Sequence, residues 1–380
     1  MGSKPLRILH SLGGLGPGGI ESFLMSVYRQ IDRKKIQFDF MVPEQIEYHY
    51  SREVRELGGN IYPVPYGKKD YFASNNRLRI FYREMGYKIV HLHVGHLHSM
   101  QALEQAEAAG VPVRILHAHC SKGEICTTRD AFDAFVHACN RSRIWSATDF
   151  FACSRLAAEY FGFERGPRRA DWKTILNGID ISRFTFDSDV RLAKRAELGV
   201  ESNDVLIGNV GRNENQKNQA LLIKALPIIE KSIPNVKLLI VGDGSLHDDL
   251  LDLAGALSVL DRCIFLSNRR DVAELCSAMD VFAFPSIFEG LGIALVEAES
   301  NGLPCVISEN VPQEAVITSN CTICGVDSGG APEDWANQIV RAVDRGRLDG
   351  ASAQVEDAGF SIEKTARQLE EFYLTSIERH

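Results

Sequence analysis

Two glutamates with seven residues between them stand in Phe284-Pro285-Ser286-Ile287-Phe288-Glu289-Gly290-Leu291-Gly292-Ile293-Ala294-Leu295-Val296-Glu297-Ala298, a stretch that is otherwise mostly apolar. The run up to Pro285 reads as a buried strand ending in a loop. Beyond it, Ile293 to Ala298 has no polar face and reads as a helix buried on most sides, with Gly290 and Gly292 at its start. An ionised carboxylate in such surroundings is costly unless compensated, so Glu297 requires a partner in the protein or in a ligand. The plain alternative is a structural glutamate held by a salt bridge. Carboxylates are poor phosphate ligands and good acceptors of hydroxyl hydrogen bonds.

Cations that could take up negative charge lie upstream. Val205 to Val210 reads as a strand, followed by Gly211-Arg212-Asn213-Glu214-Asn215-Gln216-Lys217 and a helix from Ala220 to Ser232. Arg212 and Lys217 at a strand's carboxyl end could clamp a diphosphate, the first through its planar fork and the second as a point charge. Solvated surface charge is the competing reading. Gly242 and Gly244, in the turn after the strand Lys237 to Val241, join the candidate ligand-binding set.

A second glycine turn opens the chain. The strand Arg7 to Leu12 runs into Gly13-Gly14-Leu15-Gly16-Pro17-Gly18-Gly19-Ile20-Glu21 and a helix from Ser22 to Ile31, the layout of an anion-binding turn. Gly14, Gly16 and Gly19 also spell a dinucleotide fingerprint, with Asp39 about 20 residues on. That reading is discounted, because Asp39 falls inside the strand Phe38 to Val42 and Pro17 would distort the phosphate turn.

Histidines form the third group. His91 and His93 end one strand, and His117 and His119 end the next, each pair on one face by period-two spacing. Ligands of open parallel sheets bind beyond the carboxyl ends, so all four are candidates to line a site. His91, His93, His96 and His98 also raise a metal, but no Asp, Glu or Cys nearby completes the set, and none is expected. At least half of these histidines are expected to be packed rather than functional.

The elements that would position these residues alternate between strand and helix along the chain, which implies parallel sheets with helices on both faces. The pattern loosens after Phe184, dividing residues 1–184 from 185–360, and a terminal helix within 361–380 is expected to pack back on the first domain. Cys120 to Arg143 reads as a loop leading into a helix.

With 380 residues and a net charge of −8, the chain has enough material for two cored domains and lacks the basic excess of a nucleic-acid binder. Nine scattered cysteines suit a reducing cytoplasm, and Cys321-x-x-Cys324 has no second pair at zinc spacing. No leader or run of about 20 apolar residues is evident, so a cytoplasmic location is expected. Peripheral membrane contact through a basic patch such as Arg165 to Arg169 stays open.

In order and spacing, these motifs resemble the retaining, nucleotide-sugar-dependent glycosyltransferases of family 4. The likeness covers nearly the whole chain. It rests on Gly18-Gly19-Ile20-Glu21, Ile89-Val90-His91-Leu92-His93, Phe151-Ala152-Cys153-Ser154, Asn177-Gly178-Ile179-Asp180, Val210-Gly211-Arg212 with Lys217-Asn218, and Glu289 with Glu297. The resemblance implies an α/β, GT-B fold: two facing Rossmann-like, doubly wound domains with an interdomain cleft. It implies that Glu289 binds donor-sugar hydroxyls and Glu297 the ribose. Arg212 and Lys217 would hold the diphosphate with the amides of Gly290, Leu291 and Gly292. Gly18 and Gly19 would approach the phosphates, and His117 or His119 the sugar. It further implies a nucleotide-sugar donor, most simply a UDP-sugar, a saccharide or lipid-linked acceptor, and no other cofactor. A sugar-nucleotide epimerase, a phosphorylase and a non-catalytic partner in polysaccharide assembly are the competing readings. Departures from the pattern are Gly292, where many capsular relatives have proline, and the unreadable segment Cys120 to Arg143.

Overall fold

The computed structural model describes residues 4–16, 18–65, 71–98, 100–121, 128–164, 171–267, 269–326 and 331–379. Pro17, the basic patch at 165–169 apart from any neighbours, and most of the loop after Cys120 lie outside that set.

The chain divides into two compact units, Met1–Gly178 with Ile362–His380, and Ile179–Ser361. The first is built on β1 (Leu6–Ser11), β2 (Ile36–Val42), β3 (Ile61–Pro63), β4 (Ile89–Val94), β5 (Val113–Ala118), β6 (Asp149–Ala152) and β7 (Trp172–Thr174). They form one sheet in the order β3-β2-β1-β4-β5-β6-β7, with every described pairing parallel. Its helices are α1 (Gly19–Gln30), α2 (Ser51–Glu56), α3 (Tyr71–Met85), α4 (Gln101–Ala108), α5 (Thr128–Asn140) and α6 (Arg155–Phe161).

The second unit holds α7 (Ile181–Phe184), α8 (Ser188–Glu197), β8 (Val205–Val210), α9 (Gln219–Ile229), β9 (Val236–Val241), α10 (His247–Ala256), β10 (Cys263–Leu266) and α11 (Val272–Ala278). It continues with β11 (Val281–Phe284), α12 (Ile293–Ser300), β12 (Cys305–Ser308), β13 (Cys321–Cys324), α13 (Ala331–Arg345) and α14 (Ala351–Asp357). This sheet runs β10-β9-β8-β11-β12-β13 and is also parallel in every described pairing. Strands such as Val-Lys-Leu-Leu-Ile-Val in β9 and Cys-Val-Ile-Ser in β12 are apolar almost throughout, as strands covered by helices on both faces must be.

In both sheets the chain builds outward from the first strand to one side and then returns to the other. β1 therefore lies between β2 and β4, and β8 between β9 and β11. The loops leaving β1 and β4, or β8 and β11, part in opposite directions and open a crevice at the carboxyl end of the sheet.

The last helix, α15 (Ile362–Ser376), belongs to the first unit, where it packs on α1. Its periodic face, Ile362, Ala366, Leu369, Phe372 and Tyr373, enters the same core as Phe23, Phe38 and Phe151. The junction lies at Gly178–Ile179 because α7, just beyond it, packs on α11, α12 and α14 of the second unit. Here the chain returning into α15 runs close against the outgoing chain. A Cβ on Gly178 would lie 2.8 Å from Cα and N of Ile362. Gly178→Ala should therefore push α15 off its seat and cost about 1–3 kcal/mol by overpacking. Urea unfolding would measure it, and a midpoint equal to the wild type would refute the constraint.

Candidate active site

The crevice at β8 and β11 is assembled from two loops that hold each other. Ile287 N donates to Gln216 O at 2.8 Å, and Gln216 Nε2 donates to Phe288 O at 3.0 Å. Across that seam Lys217 Nζ reaches Glu289 Oε1 at 2.6 Å, an ion pair in which both side chains are mostly buried. Lys217 Nζ also stands 4.8 Å from the centroid of the Phe284 ring. The ammonium thus has a carboxylate beside it and an aromatic face below it, which together offset its partial desolvation.

Glycines make this packing fit. A Cβ on Gly211 would crowd the Lys217 stem at 3.1 Å. One on Gly242 would fall 2.0 Å from Gly211 O, and one on Gly244 2.3 Å from Asn213 O. Gly242 and Gly244 therefore let the turn after β9 close on the loop that carries Arg212 and Lys217. Arg212 itself is exposed, and no ion pair is recorded for it among the described residues. Asn218, in the left-handed region at φ 52°, starts α9, and Gly292 at φ 90° starts α12, where a side chain would be strained.

The two glutamates of α12 and its approach have different surroundings. Glu289 is paired, whereas Glu297 is among apolar neighbours with no hydrogen bond recorded to its carboxylate among the described residues. Burial pushes the Glu297 carboxyl up to about 8, with Arg183 pulling weakly the other way. Part of its surface still meets solvent. The structural glutamate on this helix is Glu299, unremarked in the sequence. It is fully buried, and its Oε1 accepts from Ile317 N at 3.0 Å, Thr318 N at 2.7 Å and Thr318 Oγ1 at 3.0 Å.

In the first unit, the crevice at β1 and β4 is backed by imidazoles. His10 Nδ1 lies 2.9 Å from His93 Nε2, and His93 Nδ1 lies 3.0 Å from His119 Nε2. His91 Nε2 lies 3.2 Å from His117 Nδ1. Burial depresses all five, His10 and His119 to about 3, so they are neutral at physiological pH. His117 is fully buried beneath Phe23 of α1, while His119, one residue past β5, keeps some exposure. His10 is the member that sequence reasoning missed. It completes a trio with His91 and His93, and His93, His117 and His119 form another, each with one nitrogen per residue within 4.8 Å of the others. His96 is instead bonded to Tyr160 Oη at 3.1 Å, and His98 is exposed.

Gly18 precedes α1 and Gly19 is its first residue, on an exposed turn, with the Glu21 carboxylate folded back over Gly18. Asp39 is fully buried and bound to Arg7 Nε and Nη2 at 2.6 Å each and to Tyr87 Oη at 2.6 Å. It is a structural acid, its oxygens engaged by Arg7, Asn60 and Tyr87.

Comparison with known proteins agrees with this architecture over nearly the full chain. Residues 17–183 match the model "Glycosyltransferase Family 4", and residues 190–353 match "Glycosyl transferases group 1". The chain belongs to the family 4-type glycosyltransferases. It is 29% identical over 384 residues to the putative glycosyltransferase EpsF of Bacillus subtilis, covering 100% of this chain and 99% of that one. It is 30% identical over 214 residues to the Escherichia coli UDP-Gal:α-D-GlcNAc-diphosphoundecaprenol α-1,3-galactosyltransferase, covering 53% and 54% of the two chains. Anabaena HepE in complex with UDP-glucose shares the fold at a TM-score of 0.75 and 20% identity, over 97% of this chain and 100% of that one. The fold is GT-B, built from two Rossmann-like parallel-sheet units.

Within this glycosyltransferase, the second unit brings Lys217, Glu289, Gly290, Leu291 and Gly292 to one crevice. Sequence reasoning passed over four buried polar atoms of this unit that have no partner among the described residues, Asn209 Oδ1, Asn213 Oδ1, Gln219 Oε1 and Ser286 Oγ. Asn209 stands inside the apolar strand β8, Asn213 and Ser286 in the loops after β8 and β11, and Gln219 at the start of α9. Among the described residues no helix is long and apolar enough to cross a membrane.

A carboxyl whose folded value is raised to about 8 binds a proton that the unfolded chain has released. The folded state therefore loses stability as pH rises from the ordinary carboxyl range toward 8. Glu297→Gln should remove that loss, raising Tm over the wild type more at pH 8.5 than at pH 5. A pH-independent difference in thermal scans would rule out a desolvated Glu297.

Proposed function

We propose that this chain is a retaining transferase that moves a hexosyl or N-acetylhexosaminyl group from a nucleotide-diphosphate sugar, most simply a UDP-sugar, to a glycan or lipid-linked acceptor. The observation that carries the reading is the Lys217–Glu289 pair at the β8/β11 crevice, a cation and a hydroxyl acceptor side by side. A sugar diphosphate presents that combination: hydroxyls on one side of the anomeric bond and negative charge on the other. Its support from relatives is the UDP-Gal donor in the name of the Escherichia coli enzyme and the UDP-glucose bound by Anabaena HepE. The exopolysaccharide setting is proposed on the likeness to EpsF, and action at the inner membrane face on the undecaprenol-linked acceptor in the galactosyltransferase's name.

In this reading Glu289 accepts hydrogen bonds from the donor sugar, and Lys217, released from the ion pair, turns to the diphosphate with Arg212. The amides of Gly290, Leu291 and Gly292, at the start of α12, add positive potential at the same place. Glu297 takes the ribose hydroxyls, whose donation compensates a carboxylate that the apolar helix otherwise keeps protonated. The acceptor hydroxyl attacks from the face that the nucleotide leaves, and its proton passes to the departing diphosphate oxygen. The protein's task is to stabilise charge on that leaving group, which preorganised cations and a helix N-terminus do without a metal.

Arg212→Ala and Lys217→Ala should each lower kcat by about 10²–10³, the usual cost of one such group. Near-wild-type turnover in both would sink the assignment. Activity should survive a chelator, and product NMR should show the donor's anomeric configuration kept. A nucleotide sugar that raises Tm in a thermal-shift screen would identify the donor.

A further inference from the structure

The loop from β8 to α9 is fastened on one side to the turn after β9 and on the other to the loop after β11. On the β9 side Asn213 N donates to Asp243 O at 2.9 Å, and the Glu214 carboxylate accepts from Ser245 N at 3.0 Å and from Ser245 Oγ at 2.8 Å. On the β11 side Gln216 makes two neutral contacts: its main-chain carbonyl accepts from Ile287 N, and its side-chain Nε2 donates to Phe288 O. The acceptor at Phe288 is a carbonyl, so the amide must present its NH₂, and a glutamate of the same shape would set oxygen against oxygen.

Gln216 directly precedes Lys217 and Phe288 directly precedes Glu289, so this clamp stands one residue back from each partner of the ion pair. The pair and the clamp suit different tasks. Lys217 and Glu289 lose hydration in meeting, which offsets much of their attraction, and they can part once a ligand offers each charge a new partner. The ammonium then keeps the Phe284 ring, 4.8 Å from Nζ. The clamp joins neutral groups and holds whichever partner the two charges have.

We propose that Gln216 is a positioning residue that keeps the backbone of Lys217 and that of Glu289 at a fixed separation while their side chains exchange each other for substrate. This rests on the functional reading above, in which a sugar diphosphate draws Lys217 to its phosphates and Glu289 to its hydroxyls. Without the clamp, the ligand that parts the ion pair also loosens the seam between the two loops. Both groups then reach the transition state poorly aligned, so the loss falls on the chemical step and not on the capture of nucleotide.

The test compares the full-length wild type with Gln216→Glu, Gln216→Ala and a double variant, Lys217→Met with Glu289→Gln, that removes the ion pair at similar volume. Amide hydrogen exchange at Ile287, read without ligand, reports the seam. Gln216→Glu should speed it about tenfold, the scale of one hydrogen bond, whereas the double variant should leave it within about threefold of the wild type. Turnover is read as UDP release from UDP-glucose or UDP-galactose, whichever the wild type uses faster. Both Gln216 variants should lower kcat about tenfold, with the Kd for UDP within about twofold and Tm lowered by no more than about 4 °C. Gln216→Ala sets no oxygen against Phe288 O, and it carries the comparison if Gln216→Glu fails to fold. Wild-type kcat in the Gln216 variants overturns the proposal. So does a parallel fall of kcat, UDP affinity and Tm, the mark of a merely structural residue, or faster Ile287 exchange in the double variant than in Gln216→Glu. The expected exchange rates in a protein that turns over no nucleotide sugar would support the clamp and overturn the functional reading.

Discussion

A strand covered by helices on both faces has room for polar side chains only where the sheet stops, and each sheet has one place where its end lies open. In both units that place follows from winding order, with β1 between β2 and β4 and β8 between β9 and β11. Glu289, Lys217 and the glycine turns gather there because the loops leaving those strands have nowhere else to converge. The exceptions are informative. Asn209 in β8 and His10 and His91 in the first sheet sit inside the covered region, and each needs its own arrangement: Asn209 Nδ2 donates to Ala283 O at 2.8 Å, and the imidazoles bond one another.

The glycines of the second unit obey a related constraint. Gly242 and Gly244 read in sequence as part of a ligand-binding set, and Gly211 as one residue of the Val210-Gly211-Arg212 motif. In the fold each is needed first by a neighbouring loop, since a Cβ there would overlap the Lys217 stem, Gly211 O or Asn213 O. Close packing of the loops and access for a ligand are thus met by the same residues.

Much of this was legible in the sequence where a residue type departs from its surroundings at a regular spacing. The strand–loop–helix units, the parallel sheets, and the separation of Glu289 from Glu297 all follow from such patterns. What was not legible depends on contacts across the chain. Glu297 and Glu299 lie two apart on a helix apolar all round, so periodicity could not tell that Glu299 would meet Thr318 and Glu297 would not. Tyr373 belongs to an ordinary amphipathic face until its hydroxyl is seen beside His91, 282 residues away in sequence. His10 is one polar residue in the short strand β1, and the register that pairs it with His91 brings it among the other imidazoles.

The ion pair between Lys217 and Glu289 also works as a logical conjunction. With the site empty, each charge satisfies the other, and the crevice presents little net attraction to a passing ion. A free phosphate that draws off Lys217 costs Glu289 its ion pair, and a free sugar that engages Glu289 competes for the oxygen that holds Lys217. Only a molecule carrying anion and hydroxyls at the right separation replaces both halves at once. In a transferase of the kind proposed, such a pair selects against the separate fragments of the donor, the released nucleotide included.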